Sequence, residues 1–201
     1  MAMDHYFTSE NDRPEARKRQ FRCVVAGKEY RFTTGAGVFS KQGLDFGSRL
    51  LLETILPTPR GRALDLGCGY GPIGIILADR WKNETVMADI NKNALALARQ
   101  NAETNKVRPQ IIESDGFAGI DGEFALIVTN PPIRAGKKTY YSWFEQAKAR
   151  LLPEGELIFV IRKDQGALSA LAFCRGIFPE VATIGRKSGY FVISCRNTLT
   201  V

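Results

Sequence analysis

The chain has 201 residues, 44% hydrophobic and 24% charged with a net charge of +7, a balance that fits one soluble domain with a buried core and a taste for polyanions. No apolar run approaches the roughly 20 residues that span a bilayer, and the polar start, Met1 to Glu10, has no signal-peptide core, so the sequence reads as cytoplasmic and excludes a membrane protein. Cys23, Cys68, Cys174 and Cys195 form no Cys-x-x-Cys pair and have only His5 as a histidine companion, which argues against a zinc site or a secreted disulfide framework and points to reduced thiols.

In chain order, residues 1–20 form a basic polar segment with Arg13, Arg17, Lys18 and Arg19 close together. Phe21 to Val25 and Tyr30 to Thr33 flank Ala26-Gly27-Lys28, which predicts a β-hairpin within 21–34. Gly35, Gly37 and Gly43 mark a loop. A helix follows with Leu44, Leu51, Leu52, Ile55 and Leu56 as its apolar positions and Pro57 at its end. From residue 60 strands and helices alternate. Ala63 to Leu66 is a strand, Pro72 to Trp81 a helix, Thr85 to Ala88 a strand, and Asn91 to Asn105 a helix capped by Asn91. Gln110 to Ile112 and Phe124 to Val128 are strands, and Thr139 to Leu151 is helical until Pro153-Glu154-Gly155 turns the chain. Leu157 to Ile161 is a strand and Gln165 to Ile177 a helix. The end reads as a hairpin, Val181 to Ile184 and Tyr190 to Cys195, around a turn from Gly185 to Gly189. Such alternation implies a mainly parallel sheet covered on both faces, in one domain spanning 21–201 with its core at 60–201. Ligands of such folds sit beyond the carboxyl ends of the strands.

Asp65-Leu66-Gly67-Cys68-Gly69-Tyr70-Gly71 lies at such an end, where glycines permit a tight turn and close approach of a ligand. Gly69, Gly71 and Gly74 match the dinucleotide fingerprint, but Asp65 would repel a pyrophosphate and suits a cationic ligand. Asp89, in Asp89-Ile90-Asn91, ends the next strand, where an acid accepts from both ribose hydroxyls. The pair specifies an adenosine-like ligand with a positive tail. Asp115, before Gly116 and Phe117, is placed to accept from an adenine amine. The plainer alternatives are helix capping by Asp65 and Asp89 and an Asx-turn at Asp115.

Asn130-Pro131-Pro132-Ile133 follows the strand ending at Val128. An exocyclic base amine is a poor nucleophile because its lone pair is delocalised into the ring. Two acceptors that take both of its hydrogens leave the lone pair free to attack a methyl held in line. The Asn130 side-chain oxygen and the Pro131 carbonyl are such a pair, and the prolines add no competing N–H. Pro132 holds Pro131 extended. No general base is obligatory, so catalysis rests on positioning and oriented dipoles. Read alone, the segment is also an ordinary rigid turn.

With these residues the chain resembles class I S-adenosylmethionine-dependent methyltransferases of the small-domain group, above all the catalytic domain of bacterial small-subunit ribosomal RNA guanine-amine methyltransferases. The resemblance runs from about Phe21 to Cys195 and includes Gly37-Val38-Phe39-Ser40 and Gly43-Leu44-Asp45-Phe46-Gly47-Ser48. It implies a Rossmann-like α/β fold, a seven-stranded mostly parallel sheet with an antiparallel C-terminal strand, plus the small N-terminal hairpin. It implies S-adenosyl-L-methionine held by Phe39, Asp45, Gly47, Ser48, Asp65, Gly67, Cys68, Gly69, Gly71, Asp89, Ile90, Asn91, Asp115, Gly116, Phe117 and Asn130, and catalysis at Asn130, Pro131, Pro132 and Ile133. Related enzymes carry an aromatic after the two prolines. Here that position is Ile133, so base stacking is expected from Phe39, Tyr140 or Trp143. The best-known members also carry a second, degenerate methyltransferase domain ahead of the catalytic one, which this chain is expected to lack.

Arg134, Lys137 and Lys138 follow the acceptor loop, and Arg186 and Lys187 fall in the predicted last turn. Basic residues there imply that the acceptor amine sits on a nucleic acid, whose target base is extruded into the pocket, although such clusters also arise as a solvated face. The resemblance implies that this partner is ribosomal RNA or a ribosomal subunit. With the resemblance, the expected reaction is methyl transfer to guanine N2 of small-subunit ribosomal RNA. Adenine N6 or protein glutamine is the alternative acceptor, and a non-catalytic RNA-binding module or an NAD-dependent oxidoreductase the alternative class.

Overall fold

The computed structural model describes residues 18–35, 43–56 and 60–198. The segment before Lys18 and the positions Gly37, Val38, Phe39 and Ser40 lie outside the described residues.

A hairpin of β1 (Arg19–Val25) and β2 (Lys28–Thr34) precedes α1 (Phe46–Ile55). Then come β3 (Ala63–Leu66), α2 (Pro72–Trp81), β4 (Thr85–Asp89), α3 (Lys92–Thr104), β5 (Gln110–Glu113), β6 (Phe124–Thr129), α4 (Lys137–Lys148), β7 (Leu151–Arg162), α5 (Ala167–Arg175), β8 (Glu180–Lys187) and β9 (Tyr190–Arg196). The sheet order is β5-β4-β3-β6-β7-β9-β8, with β9 antiparallel to both of its neighbours. From β3 the chain steps outward through β4 and β5, then returns to β6 on the other side of β3. The strand order therefore reverses between β3 and β6, the place where open α/β sheets bind ligands.

Alternating strand residues feed two cores. Ala63, Met87, Val128, Ile158 and Val192 pack beneath α1, α2, α3 and the hairpin. Leu64, Leu66, Ile127, Phe159 and Ile193 pack beneath α4 and α5. Pro72 opens α2, and Asn91 caps α3 by accepting from the N–H groups of Asn93 and Ala94, as its sequence position predicts.

The hairpin is anchored to this core. Tyr30 Oη and Lys28 Nζ both donate to Asp79 Oδ2 on α2, at 2.8 and 2.6 Å. The buried Asn101 of α3 exchanges hydrogen bonds with Thr33 of β2 and also donates to the Tyr70 carbonyl in the glycine loop. Phe21 and Phe32 meet the Tyr70 ring edge-on.

Several boundaries differ from the sequence reading. Leu44 precedes α1, which Asp45 caps. Helix α4 begins at Lys137, and Leu151 belongs to β7, where it pairs with Phe124. The helix predicted from Gln165 to Ile177 runs only over Ala167–Arg175, because Gln165 ends a 3-10 turn that begins at Lys163 and Gly166 is the cap. The expected turn from Gly185 to Gly189 shrinks to Ser188-Gly189, both at positive φ as a two-residue hairpin requires. Arg186 and Lys187 therefore lie in β8, opposite Phe191 and Tyr190. Gly185 marks a bulge, and a Cβ there would lie 2.7 Å from Thr54 Oγ1 on α1. It serves close helix packing, a need that reads locally like a turn.

Candidate active site at the carboxyl edge of the sheet

The glycine loop leaves β3 with the N–H groups of Gly67 and Cys68 both donating to the Ala88 carbonyl of β4. Gly69, at φ +57, has nothing within 4 Å of where a Cβ would stand. Its N–H donates to Asp89 Oδ2 at 2.8 Å, while Asp89 Oδ1 accepts from the Asn91 N–H at 2.8 Å. Asp65 is buried, and its Oδ2 accepts the Gly74 N–H of α2 at 2.8 Å. Both acids thus satisfy backbone donors, as the capping alternative expects. Asp65 goes further, because its buried Oδ1 has no hydrogen-bond partner among the described residues.

Burial, opposed by the Gly74 N–H and reinforced by Asp89, raises the Asp65 carboxyl to about 7. Burial also raises Asp89. A buried carboxyl oxygen without a donor, beside a second acid, is a place that a cationic group would relieve. The same burial, with Asp65 and Asp89 near, pushes the Cys68 thiol well up, so Cys68 is an inert wall of the loop.

Asp115 is exposed, and the loop after β5 is closed by Ser114, whose Oγ accepts from Gly119 N–H and donates to the Gly116 carbonyl. Trp143 of α4 joins the two loops. Its indole lies so close to Gly67 and Gly116 that a Cβ on either would stand 3.3 Å or 2.8 Å from it. The sequence proposed Trp143 for stacking but gave no sign that it bridges these loops. Tyr140 is fully buried in the core below α4, which removes it from the stacking candidates.

In the acceptor loop, Asn130 Nδ2 lies 3.2 Å from Asp45 Oδ1 and 3.1 Å from Ser48 Oγ. Asp45 Oδ1 also accepts the Ser48 N–H at 3.0 Å as the cap of α1. A carboxylate accepts only, so this contact fixes which end of the Asn130 amide is nitrogen and leaves Oδ1 as the acceptor. Pro132, at φ −74 and ψ 80, makes an inverse γ-turn in which the Pro131 carbonyl accepts the Ile133 N–H at 2.9 Å. One lone pair of that carbonyl remains for an incoming donor. Pro131 is buried, Pro132 and Ile133 are half-buried, and Arg134, Lys137 and Lys138 are exposed just beyond.

A carboxylate-lined glycine cradle and a donor-poor acceptor loop thus meet at one sheet edge, with Asp65 paired in register to Val128, two residues before Asn130. Residues 29–194 match the family model described as the methyltransferase small domain. The chain belongs to that family. It is an S-adenosylmethionine-dependent methyltransferase. It is 42% identical over 198 residues to the uncharacterized protein YbxB of Bacillus subtilis, covering 96% of this chain and 98% of that one. It is also 42% identical over 129 residues to ribosomal RNA small subunit methyltransferase C of Pasteurella multocida, over 62% of this chain and 39% of that one. Among solved structures it resembles the T. thermophilus 16S rRNA N2 G1207 methyltransferase (RsmC) in complex with AdoMet and guanosine. That likeness has a TM-score of 0.81 at 27% identity and covers 90% of this chain and 50% of that one. The family domain thus spans about half or less of the methyltransferase C proteins it matches.

Proposed function

We propose that this methyltransferase modifies the exocyclic N2 amine of a guanine in small-subunit ribosomal RNA, in the cytoplasm. The observation that carries the reading is the Asn130 amide, whose nitrogen is held by Asp45 and Ser48 so that its oxygen is the group offered to a substrate. S-adenosylmethionine, when bound, supplies an electrophilic methyl on a sulfonium. Asp65 Oδ1 and the glycine loop would hold its cationic tail, Asp89 its ribose, and the loop of Asp115, Gly116 and Phe117 its adenine.

Asn130 Oδ1 and the Pro131 carbonyl take the two hydrogens of the acceptor amine. They orient its lone pair and stabilise the positive charge that develops on nitrogen as the new bond forms. Neither group removes a proton in that step. The carbon–sulfur bonding pair would stay with sulfur as a neutral thioether, and the methylated amine would then lose its proton to water, so no side chain has to act as a base. Arg134, Lys137 and Lys138 sit beside the loop and favour a polyanion over a neutral protein surface. The relatives named for ribosomal RNA and the neighbour solved with guanosine support the same acceptor.

The test is tritiated methyl transfer to total RNA, followed by nucleoside analysis. Label is expected in N2-methylguanosine from small-subunit RNA. Label confined to N6-methyladenosine, or no label in RNA at all, would overturn the guanine reading.

A further inference from the structure

The carboxyl edge of the sheet carries a second feature that the acceptor loop does not use. Arg162 of β7 is paired with Tyr190 of β9, and Tyr190 with Lys187 of β8. Residues directly opposite on neighbouring strands share a face, so the three make one row in which a ring stands between two cations. The Arg162 guanidinium lies 5.6 Å from the centre of the Tyr190 ring. One of its nitrogens is held by Asp164 at 2.7 Å, which orients the fork while its other N–H groups remain donors.

The Tyr190 ring also meets Phe46, centroid to centroid at 5.2 Å, and Phe46 keeps 38% of its surface exposed. A Cβ on Gly47 would stand 3.0 Å from Tyr190 Cε1, so the row is seated on the first turn of α1. Asp45, the cap of that turn, holds Asn130 together with Ser48. The aromatic pair is therefore tied to the acceptor loop through the first turn of α1. A cleft lined by Arg162, Lys163, Asp164 and Gly189 lies alongside.

Half-exposed rings between cations are poor core and poor solvent surface, but they match a single strand, whose bases present π-faces and whose phosphates need positive partners. We infer that Tyr190 and Phe46 form a shelf on which single-stranded RNA bases stack beside the acceptor loop, while Arg162 and Lys187 hold the phosphates. The shelf supplies the aromatic surface missing at Ile133. It rests on the RNA reading above and adds the residues that would receive the strand.

The experiment is filter binding of deproteinised small-subunit ribosomal RNA over a salt series, with S-adenosylmethionine affinity measured by calorimetry on the same proteins. Tyr190→Ala is expected to weaken RNA binding about tenfold or more, and Tyr190→Phe to leave it unchanged, because the ring and not the hydroxyl stacks. Arg162→Ala and Lys187→Ala should each flatten the slope of log K against log salt by about 0.7. Cofactor affinity should hold in all four. If circular dichroism shows that Tyr190→Ala does not fold, Phe46→Ala takes its place. RNA binding and slopes unchanged across the variants would overturn the shelf alone, as would equal loss in Tyr190→Phe. A wild-type protein that binds no RNA would overturn the reading beneath it.

Discussion

Asn130 Nδ2 donates to Asp45 Oδ1 across 3.2 Å, joining residues 85 positions apart in sequence. An isolated asparagine amide can present either end to a ligand. This one cannot turn without setting its oxygen against a carboxylate. Asp45 also caps α1, so the substitution that separates its two duties is Asp45→Asn, since asparagine caps helices equally well. An asparagine there can itself donate, which lets the Asn130 amide flip. Asp45→Asn is expected to keep its melting temperature while kcat falls about tenfold. Asn130→Ala should lose about a hundredfold or more in kcat, with the cofactor still bound. Full turnover in Asn130→Ala would remove the acceptor role.

The Asp65 carboxyl sits at about 7, so its charge changes within an accessible pH range. A cationic tail binds the ionised form. S-adenosylmethionine should therefore bind about tenfold more weakly at pH 6 than at pH 8, one unit below and one above that value. In Asp65→Asn the dependence should vanish and affinity should be low throughout. A wild-type affinity that is flat from pH 6 to 8, measured by calorimetry, would contradict the placement of the positive group.

The same carboxyl makes a stability prediction for the ligand-free protein. Its folded value lies above the ordinary 3.8, so between about pH 4 and 7 the folded state holds a proton that the unfolded state has released. Stability attributable to Asp65 is thus complete below pH 4 and is lost as pH rises through 7. Asp65→Asn removes the buried charge and should raise the melting temperature of the ligand-free protein at pH 8, while impairing catalysis. A lower melting temperature at that pH would show that Asp65 stabilises the fold.

Gly74 faces β4 so closely that a Cβ would stand 2.4 Å from Met87 Cγ and 3.1 Å from Asp65 Oδ2. Alanine favours the helix, but the contact with the root of a buried Met87 outweighs that gain. Gly74→Ala should cost about 1–3 kcal/mol in denaturant unfolding. Shortening Met87 to alanine in the same protein should recover part of the loss, and strict additivity of the two costs would argue against the clash.

Asn101 ties Thr33 of the hairpin to the Tyr70 carbonyl of the glycine loop from within the core. Asn101→Ala strands one N–H and two carbonyls and should cost at least about 2 kcal/mol in unfolding free energy. The glycine loop loses a support as well, so S-adenosylmethionine affinity should fall with it. Wild-type affinity in that variant would confine Asn101 to holding the hairpin.

Elements built from local signals were legible in the sequence. Ala63–Leu66 and Pro72–Trp81 match their predicted bounds because a buried strand and a proline-opened helix are written in consecutive residues. Gly185 misled for the opposite reason. Its constraint comes from Thr54, far away in the chain, and a glycine required by close packing looks the same in sequence as one required by a turn.

By itself the sequence determined the chemistry on offer: a glycine loop between two acids, an acceptor loop poor in donors, and a basic surface. Tertiary structure alone decided the orientation and the charge state of those groups. The Asn130 amide is directed by Asp45, and Asp65 is buried beneath α2 with one oxygen unpartnered among the described residues. Trp143 is folded against two loops, and Tyr190 is set between Arg162 and Lys187. Hydrogen-bond direction and desolvation depend on neighbours in space, and the sheet brings those neighbours together from distant parts of the chain.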